Sequence, residues 1–217
     1  MNKEEKAIVL AMCLGDGYIG KNSTLYIEHS QNQEEYVKYK YNLLNKIFPT
    51  RHPNNLYYRQ RLDSRTGKIY KQVSCHKYSK YFRVLRKWLY TPIKTYHRKL
   101  LDRLTPEAIA IWYMDDGCLR CRESTVTGKV TSIQVVLSTH CSLEEAEMIR
   151  DYFQETWGIV FSIYKQKNKY LHCANTKEGN KFLDLVRPYV IPSMSYKVNI
   201  ISKSARLLSE SKDEDIV

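Results

Sequence analysis

The sequence predicts an α+β fold made of two pseudo-symmetric repeats, each running αββαββα. Three observations carry this. An apolar run that ends on an aspartate and a glycine occurs twice, as AIVLAMCLGDG and AIAIWYMDDG, and the two acids, Asp16 and Asp116, stand 100 residues apart. The same order of helical and alternating patterns follows each run, if one unresolved strand is allowed after each. Both copies close on similar phrases, VLRKWLYTP and DLVRPYVIP. A period of this length is too long for a solenoid and indicates two fused copies related by a pseudo-two-fold axis.

In the first copy, Ala7–Leu14 reads as a buried helix. Ser23–Ser30 alternates Leu25 and Ile27 against Tyr26 and Glu28, a half-buried strand. Gln33–Phe48 is an amphipathic helix stopped by Pro49. Asn55–Leu62 and Lys68–His76 are strands around DSRTG. Ser79–Tyr90 is a helix, with Ser79 as N-cap and Pro92 beyond its end. In the second copy, Ala108–Met114 is a buried helix with Pro106 near its start. Val130–Thr139 is a strand. Ser142–Gly158 is a helix with a Ser142/Glu145 capping box and a terminal glycine. IVFSIYKQ and KYLHCAN are strands around Lys167-Asn168, and Thr176–Val190 is a helix followed by Pro192. The organisation expected is a first repeat over 1–94, a basic linker over 95–105, a second repeat over 106–202 and a mobile, dispensable acidic tail over 203–217.

Composition narrows the partners. Of 217 residues, 43% are hydrophobic, enough for real cores, and the net charge of +12 favours a nucleic acid or an anionic surface. No apolar run approaches the roughly 20 residues of a spanning helix. Glu4 and Glu5 precede the first apolar run, which is also too short for a signal peptide. A soluble protein is expected, in the cytoplasm, nucleoid or organelle matrix of the encoding genome. The six cysteines lie mostly in apolar runs, as reduced buried thiols do. Cys118 and Cys121 form a C-x-x-C that Cys141 and Cys173, beside His140 and His172, could complete as a zinc site; the spacing is not a standard one.

A two-fold arrangement packs one patch against its own copy. If that patch is the motif helix, both C-terminal ends emerge together, with Gly17 and Gly117 suited to left-handed caps. Two carboxylates then sit side by side at the unfavourable end of two helix dipoles. That is costly for structure alone, and divalent metal would offset it. The backbone carbonyls of Gly15 and Asp115 offer further hard oxygen ligands. Oxygen-only paired sites suit Mg²⁺, with Mn²⁺ as a substitute, and phosphoryl chemistry.

Val9–Gly17 and Ile109–Gly117 resemble, without gaps, the LAGLIDADG motif of homing endonucleases. The phrases LTPEAIAIWYMDDG and RPYVIPSMSYK are similar to the single-chain branch that includes the mitochondrial omega-intron endonuclease. The resemblance implies that Asp16 and Asp116 are catalytic metal ligands. It implies that Lys94 and Lys197, which follow their acids by 78 and 81 residues, support catalysis. Leu14 and Met114 stand where the family name has its first acid. Ile111 and Trp112 replace the small residues of the usual helix contact, so a wider or asymmetric interface is expected.

The resemblance further implies two antiparallel sheets forming a DNA-binding saddle, with cleavage across the minor groove that leaves short 3′ overhangs. Strand parity places Tyr26, Glu28 and Ser30 on the groove side, as it does Arg59 and Arg61 opposite Leu56 and Leu62, and Gln134 and Ser138 opposite Ile133, Val135 and Leu137. Lys165, Lys167 and Lys169 are expected to grip phosphates near their hairpin, the register of which parity leaves open. The function expected is a monomeric, metal-dependent endonuclease for a long non-palindromic DNA duplex. The alternatives on the same fold are an intron RNA maturase and a DNA-binding regulator.

Overall fold

A computed structural model describes residues 1–50, 55–90 and 93–201. The chain runs α1 (Lys3–Leu14), β1 (Tyr18–Ile19), β2 (Thr24–Ser30), α2 (Glu34–Ile47), β3 (Tyr57–Leu62), β4 (Ile69–Tyr78), α3 (Lys80–Leu89) and a short α4 (Arg98–Leu101). It continues with α5 (Pro106–Asp116), β5 (Gly117–Glu123), β6 (Val130–Cys141), α6 (Leu143–Trp157), β7 (Ser162–Gln166), β8 (Lys169–Ala174) and α7 (Thr176–Val186). The αββαββα order therefore occurs twice, and the strands left unresolved by sequence are β1 and β5. The antiparallel sheets have matching orders, β1-β2-β4-β3 and β5-β6-β8-β7.

All residues from Ala7 to Leu14 in α1 and from Ala108 to Met114 in α5 are buried. A helix apolar on every side belongs inside a protein, and these two pack against each other at the centre. Each fully buried Leu, Ile or Met there contributes roughly 1.5–3 kcal/mol relative to an exposed one. Helix α1 starts before its apolar run because Asn2 caps it: Asn2 accepts the Glu5 N–H, and the Glu5 carboxylate accepts the Asn2 N–H. The Ser79 cap of α3, the Ser142/Glu145 box of α6 and the left-handed Gly158 at φ 65° are all present. Helix α7 stops at Val186, short of the expected Val190, because Pro188 cannot donate an N–H and the chain turns into a 3-10 segment over Arg187–Tyr189. Pro92 and the acidic tail lie outside the described residues.

Several expectations need correction. Gly17 and Gly117 are not left-handed caps; among described glycines only Gly67, Gly128 and Gly158 have positive φ. Space is the requirement instead. A Cβ on Gly117 would lie 2.0 Å from the Tyr113 ring, and one on Gly17 would lie 2.3 Å from the Met12 carbonyl oxygen. Leu62 lies on the inner face of the sheet, as expected, but is not buried there: it is 64% exposed and its partner Ile69 is 60% exposed. These two residues pair at the outer end of the β3–β4 hairpin, and β3 is an edge strand exposed along its whole length. The basic stretch 95–105 is no bare linker, since it contains α4 and buries Tyr96, Leu100, Leu101 and Leu104.

Zinc does not fit the cysteines. Cys118 and Cys121 are three residues apart on β5, so they point to opposite faces. Cys173 pairs with Val136 while Cys141 pairs with Tyr170, which again puts them on opposite faces. All six thiols are free.

Candidate active site and nucleic-acid face

Helices α1 and α5 end side by side and deliver Asp16 and Asp116 to one cleft of about 370 Å³, which Gly15, Lys94, Tyr96, Ser138 and Lys169 also line. Asp16 is the more open acid, its side chain 44% exposed. Burial, and then the charges of Asp16 and Asp115, push the Asp116 carboxyl up to about 7. The Trp112 indole N–H donates to Asp116 Oδ2 at 3.0 Å and partly offsets this. Burial and the Asp115 charge also raise Asp16 above the usual carboxylate range.

The two lysines occupy equivalent places. Lys94 donates to the carbonyls of Cys13, Leu14 and Gly15 at the end of α1. Lys197 donates to the carbonyls of Met114 and Asp115 at the end of α5. Cations here are favoured by the helix dipole and by orphan carbonyls. Burial lowers the Lys197 ammonium below its ordinary value against the pull of Asp115, Asp16 and Asp116. Because the Gly15 and Asp115 carbonyls already accept from lysines, ligation of a cation by either would use its second lone pair.

A buried network beneath the cleft was missed in the sequence. The Asp115 side chain, fully buried, fills the space that Gly15 leaves on the facing helix: a Cβ on Gly15 would be 2.2 Å from Asp115 Oδ2. The same oxygen accepts the Asp16 N–H at 3.2 Å. Oδ1 pairs with Lys40, itself fully buried on α2. Lys40 also donates to His29 Nε2 at 3.1 Å and lies over the Tyr36 ring at 4.2 Å. Burial and the Lys40 charge push His29 down to about 4, so the ring is neutral near pH 7. The signals were available. Lys40 sits in the buried stripe Tyr36, Val37, Leu44 of α2, and His29 continues the inward alternation of Leu25 and Ile27. The helix contact is thus asymmetric and close rather than wide. Trp112 is accommodated against Tyr96 and Phe153, with ring centroids at 5.8 and 6.3 Å.

The outer faces of the sheets follow from pairing, since residues directly opposite share a face. Tyr26, Glu28 and Ser30 are exposed opposite His76, Ser74 and Gln72. Arg59 pairs with Gln72 and Arg61 with Tyr70 on that face. Glu28 Oε1 accepts from both Arg59 and Gln72 at 3.0 Å, so these polar groups hold one another in place. On the second sheet, Ile133, Val135 and Leu137 are buried inward and Gln134 and Ser138 are half-buried on the other side. Arg120, Arg122, Tyr164 and Gln166 join that outer face and were not anticipated. Lys169 pairs with Gln166 there, Lys167 sits at the hairpin turn with φ 54°, and Lys165 pairs with Tyr170 on the opposite face.

A family model described as the LAGLIDADG DNA endonuclease family matches residues 6–182. The chain belongs to this family. LAGLIDADG membership agrees with the fold. The solved structure of the homing endonuclease I-WcaI bound to its DNA recognition sequence superposes with a TM-score of 0.78 at 23% identity, covering 92% of this chain and 88% of that one. Among curated relatives, a probable intron-encoded DNA endonuclease 3 of Mycosarcoma maydis is 32% identical over 99 residues, 46% of this chain and 67% of its own length. Protein RecA of Mycolicibacterium flavescens is 24% identical over 209 residues, 91% of this chain and 47% of that protein. The chain spans about half the length of the RecA relatives it matches. No helix among the described residues is long and apolar enough to cross a membrane.

The LAGLIDADG acids fit a divalent cation by their chemistry. Asp16 and Asp116 are carboxylates held at raised pKa by burial and by neighbouring carboxylates, Asp115 for Asp16 and both Asp16 and Asp115 for Asp116, which is the condition a hard cation relieves. A second grouping, Asp16, His29 and Asp115, brings ligand atoms within 4.8 Å of one another. It is a poorer fit, because the Lys40 ammonium already compensates Asp115 and bonds His29.

Proposed function

We propose that this chain is a monomeric, site-specific endonuclease that cuts both strands of a long, non-palindromic DNA duplex. The observation that carries the reading is that both LAGLIDADG acids are intact and open to one cleft, each beside a lysine, in a chain matched by the family over residues 6–182. Asp16 and Asp116 would hold Mg²⁺, for which Mn²⁺ could substitute. Such ions supply Lewis-acid polarisation and lower the pKa of a bound water. The chain's own contribution is electrostatic and positional. Lys94 and Lys197 hold positive charge at the helix ends, where a scissile phosphate would lie. The Arg59–Glu28–Gln72 group and Arg120–Gln134 present base-reading side chains already ordered by one another. Lys167 and Lys169 are placed to grip phosphates. Two repeats with different groove faces read two different half-sites, so the target is asymmetric.

The test is selection of cleaved molecules from a randomised duplex library with Mg²⁺ present, followed by sequencing of the ends. A single long target with short 3′ overhangs is expected. Asp16→Asn and Asp116→Asn should each abolish double-strand cleavage of it while retaining binding. Cleavage by either variant at the normal rate, or no cleaved target from the intact protein, would overturn the assignment. The maturase and regulator alternatives predict no requirement for intact acids.

A further inference from the structure

Helix α3 has two unlike faces. Phe82, Leu85 and Leu89 are buried, on the helix side of the first sheet. Arg83, Val84, Lys87 and Trp88 are exposed on the other side, so they point away from the groove face of that sheet. Trp88 is 46% exposed, an expensive way to leave a large aromatic unless something covers it. The Arg103 guanidinium lies 6.0 Å from its ring centroid. A shallow cavity of about 480 Å³ beside the ring is lined by Lys87, Trp88, His97, Arg98 and Lys99.

The charge here is predominantly positive, with Asp102 and Glu155 both held by Arg98. Helix α3 contains no acid. Lys87, Lys99 and Arg103 make no ion pair among the described residues. Two cations without an ion-pair partner, Lys87 and Lys99, and Arg103 over one side of a half-exposed indole form an arrangement that can grip a phosphate backbone while a base stacks on the ring's open side. A duplex keeps its base faces covered, so the ring selects for unpaired nucleotides.

We infer that the ridge formed by α3 and α4 is a second nucleic-acid surface, which binds single-stranded polynucleotide by stacking a base on Trp88 between Lys87, Lys99 and Arg103. It lies behind the first sheet and does not depend on the endonuclease reading. Two strands could supply this chemistry, RNA or unwound DNA.

The test uses the full chain without metal, a labelled 12-nucleotide oligouridylate, the matching oligodeoxythymidylate and a 12-base-pair duplex. Trp112 is buried and Trp157 is half-buried with its N–H bonded to Tyr152, so quenching of the exposed tryptophan reports contact at Trp88. Both single strands should quench it, and the tighter one identifies the source. Trp88→Ala should weaken single-strand binding, read by anisotropy, about tenfold or more, and Trp88→Phe should recover most of it. Lys87→Ala with Lys99→Ala should lower the salt slope by about one to two units. Duplex binding should be unchanged in all of these. The proposal is overturned if Trp88→Ala holds the strands as tightly as the intact protein, or if Arg59→Ala on the groove face abolishes single-strand binding while Trp88→Ala does not.

Discussion

At the scale of single residues, the cleft trades stability for charge. Asp116 titrates at about 7 in the folded chain, well above its ordinary value, and Asp16 is shifted in the same direction. A raised carboxyl pKa means that the folded state binds the proton more tightly than the unfolded one. The stabilising contribution is complete below about pH 4 and is lost as pH rises through about 7. Metal-free protein carrying Asp116→Asn is therefore expected to match the intact protein in thermal midpoint near pH 4 and to exceed it at pH 8. Mg²⁺ should raise the midpoint of the intact protein at pH 8 by mass action and that of the variant much less. Melting curves at both pH values check this; equal midpoints at pH 8 would contradict the burial argument. Lys94 and Lys197 belong to the same scale. Removing a charge donor from a transition state typically slows a reaction about 10²–10³-fold. Lys94→Met and Lys197→Met should do so on saturated DNA, each mainly on one strand, with little loss of affinity. Strand-labelled nicking assays separate this from a phosphate anchor, whose loss weakens binding instead.

At the scale of elements, helices were the most legible part. Their ends are written locally: Ser79, the Ser142/Glu145 box and Gly158 all stand where they cap. Strands that carry helices on one face were legible for a similar reason, because alternation in β2 and β6 is enforced by burial. β3 was legible in its faces but not in its burial: Arg59 and Arg61 lie outward as alternation places them and Leu62 shares the other face with Val73, but the outer end of the hairpin runs past the core and leaves Leu62 exposed. The glycines after the motif acids were found for the wrong reason. They serve close approach, which depends on the neighbouring turn and not on the residue's own φ. Gly117→Ala, forced against the Tyr113 ring and carbonyl, should therefore cost more than Gly128→Ala, where the added methyl meets nothing and only the left-handed backbone is strained, by roughly 1–2 kcal/mol. Urea unfolding of the two variants decides the order.

At the scale of the whole molecule, the acids and lysines of the candidate site could be singled out in the sequence because each occurs twice in matching positions. The Lys40–Asp115 pair was not, because it occurs once and joins residues 75 apart across the two repeats. An unpartnered charge in a dry interior is far more costly than the pair that contains it. Lys40→Met should cost about 3–5 kcal/mol, and adding Asp115→Leu to it should recover much of that loss. Chemical denaturation of the single and double variants without metal tests this; a double variant no better than the single one would mean the pair is not what holds the halves together.

The Gly15 hollow, the Asp115 side chain that fills it and the Lys40 that meets it also act as a mating code. Two N-terminal halves brought together would bury two ammonium groups with no carboxylate to receive them. Two C-terminal halves would drive two carboxylates into each other where no hollow exists. Severed between the repeats, the chain should reassemble only as unlike partners. A symmetrised version built from either half alone would need both contact positions redesigned before it could close.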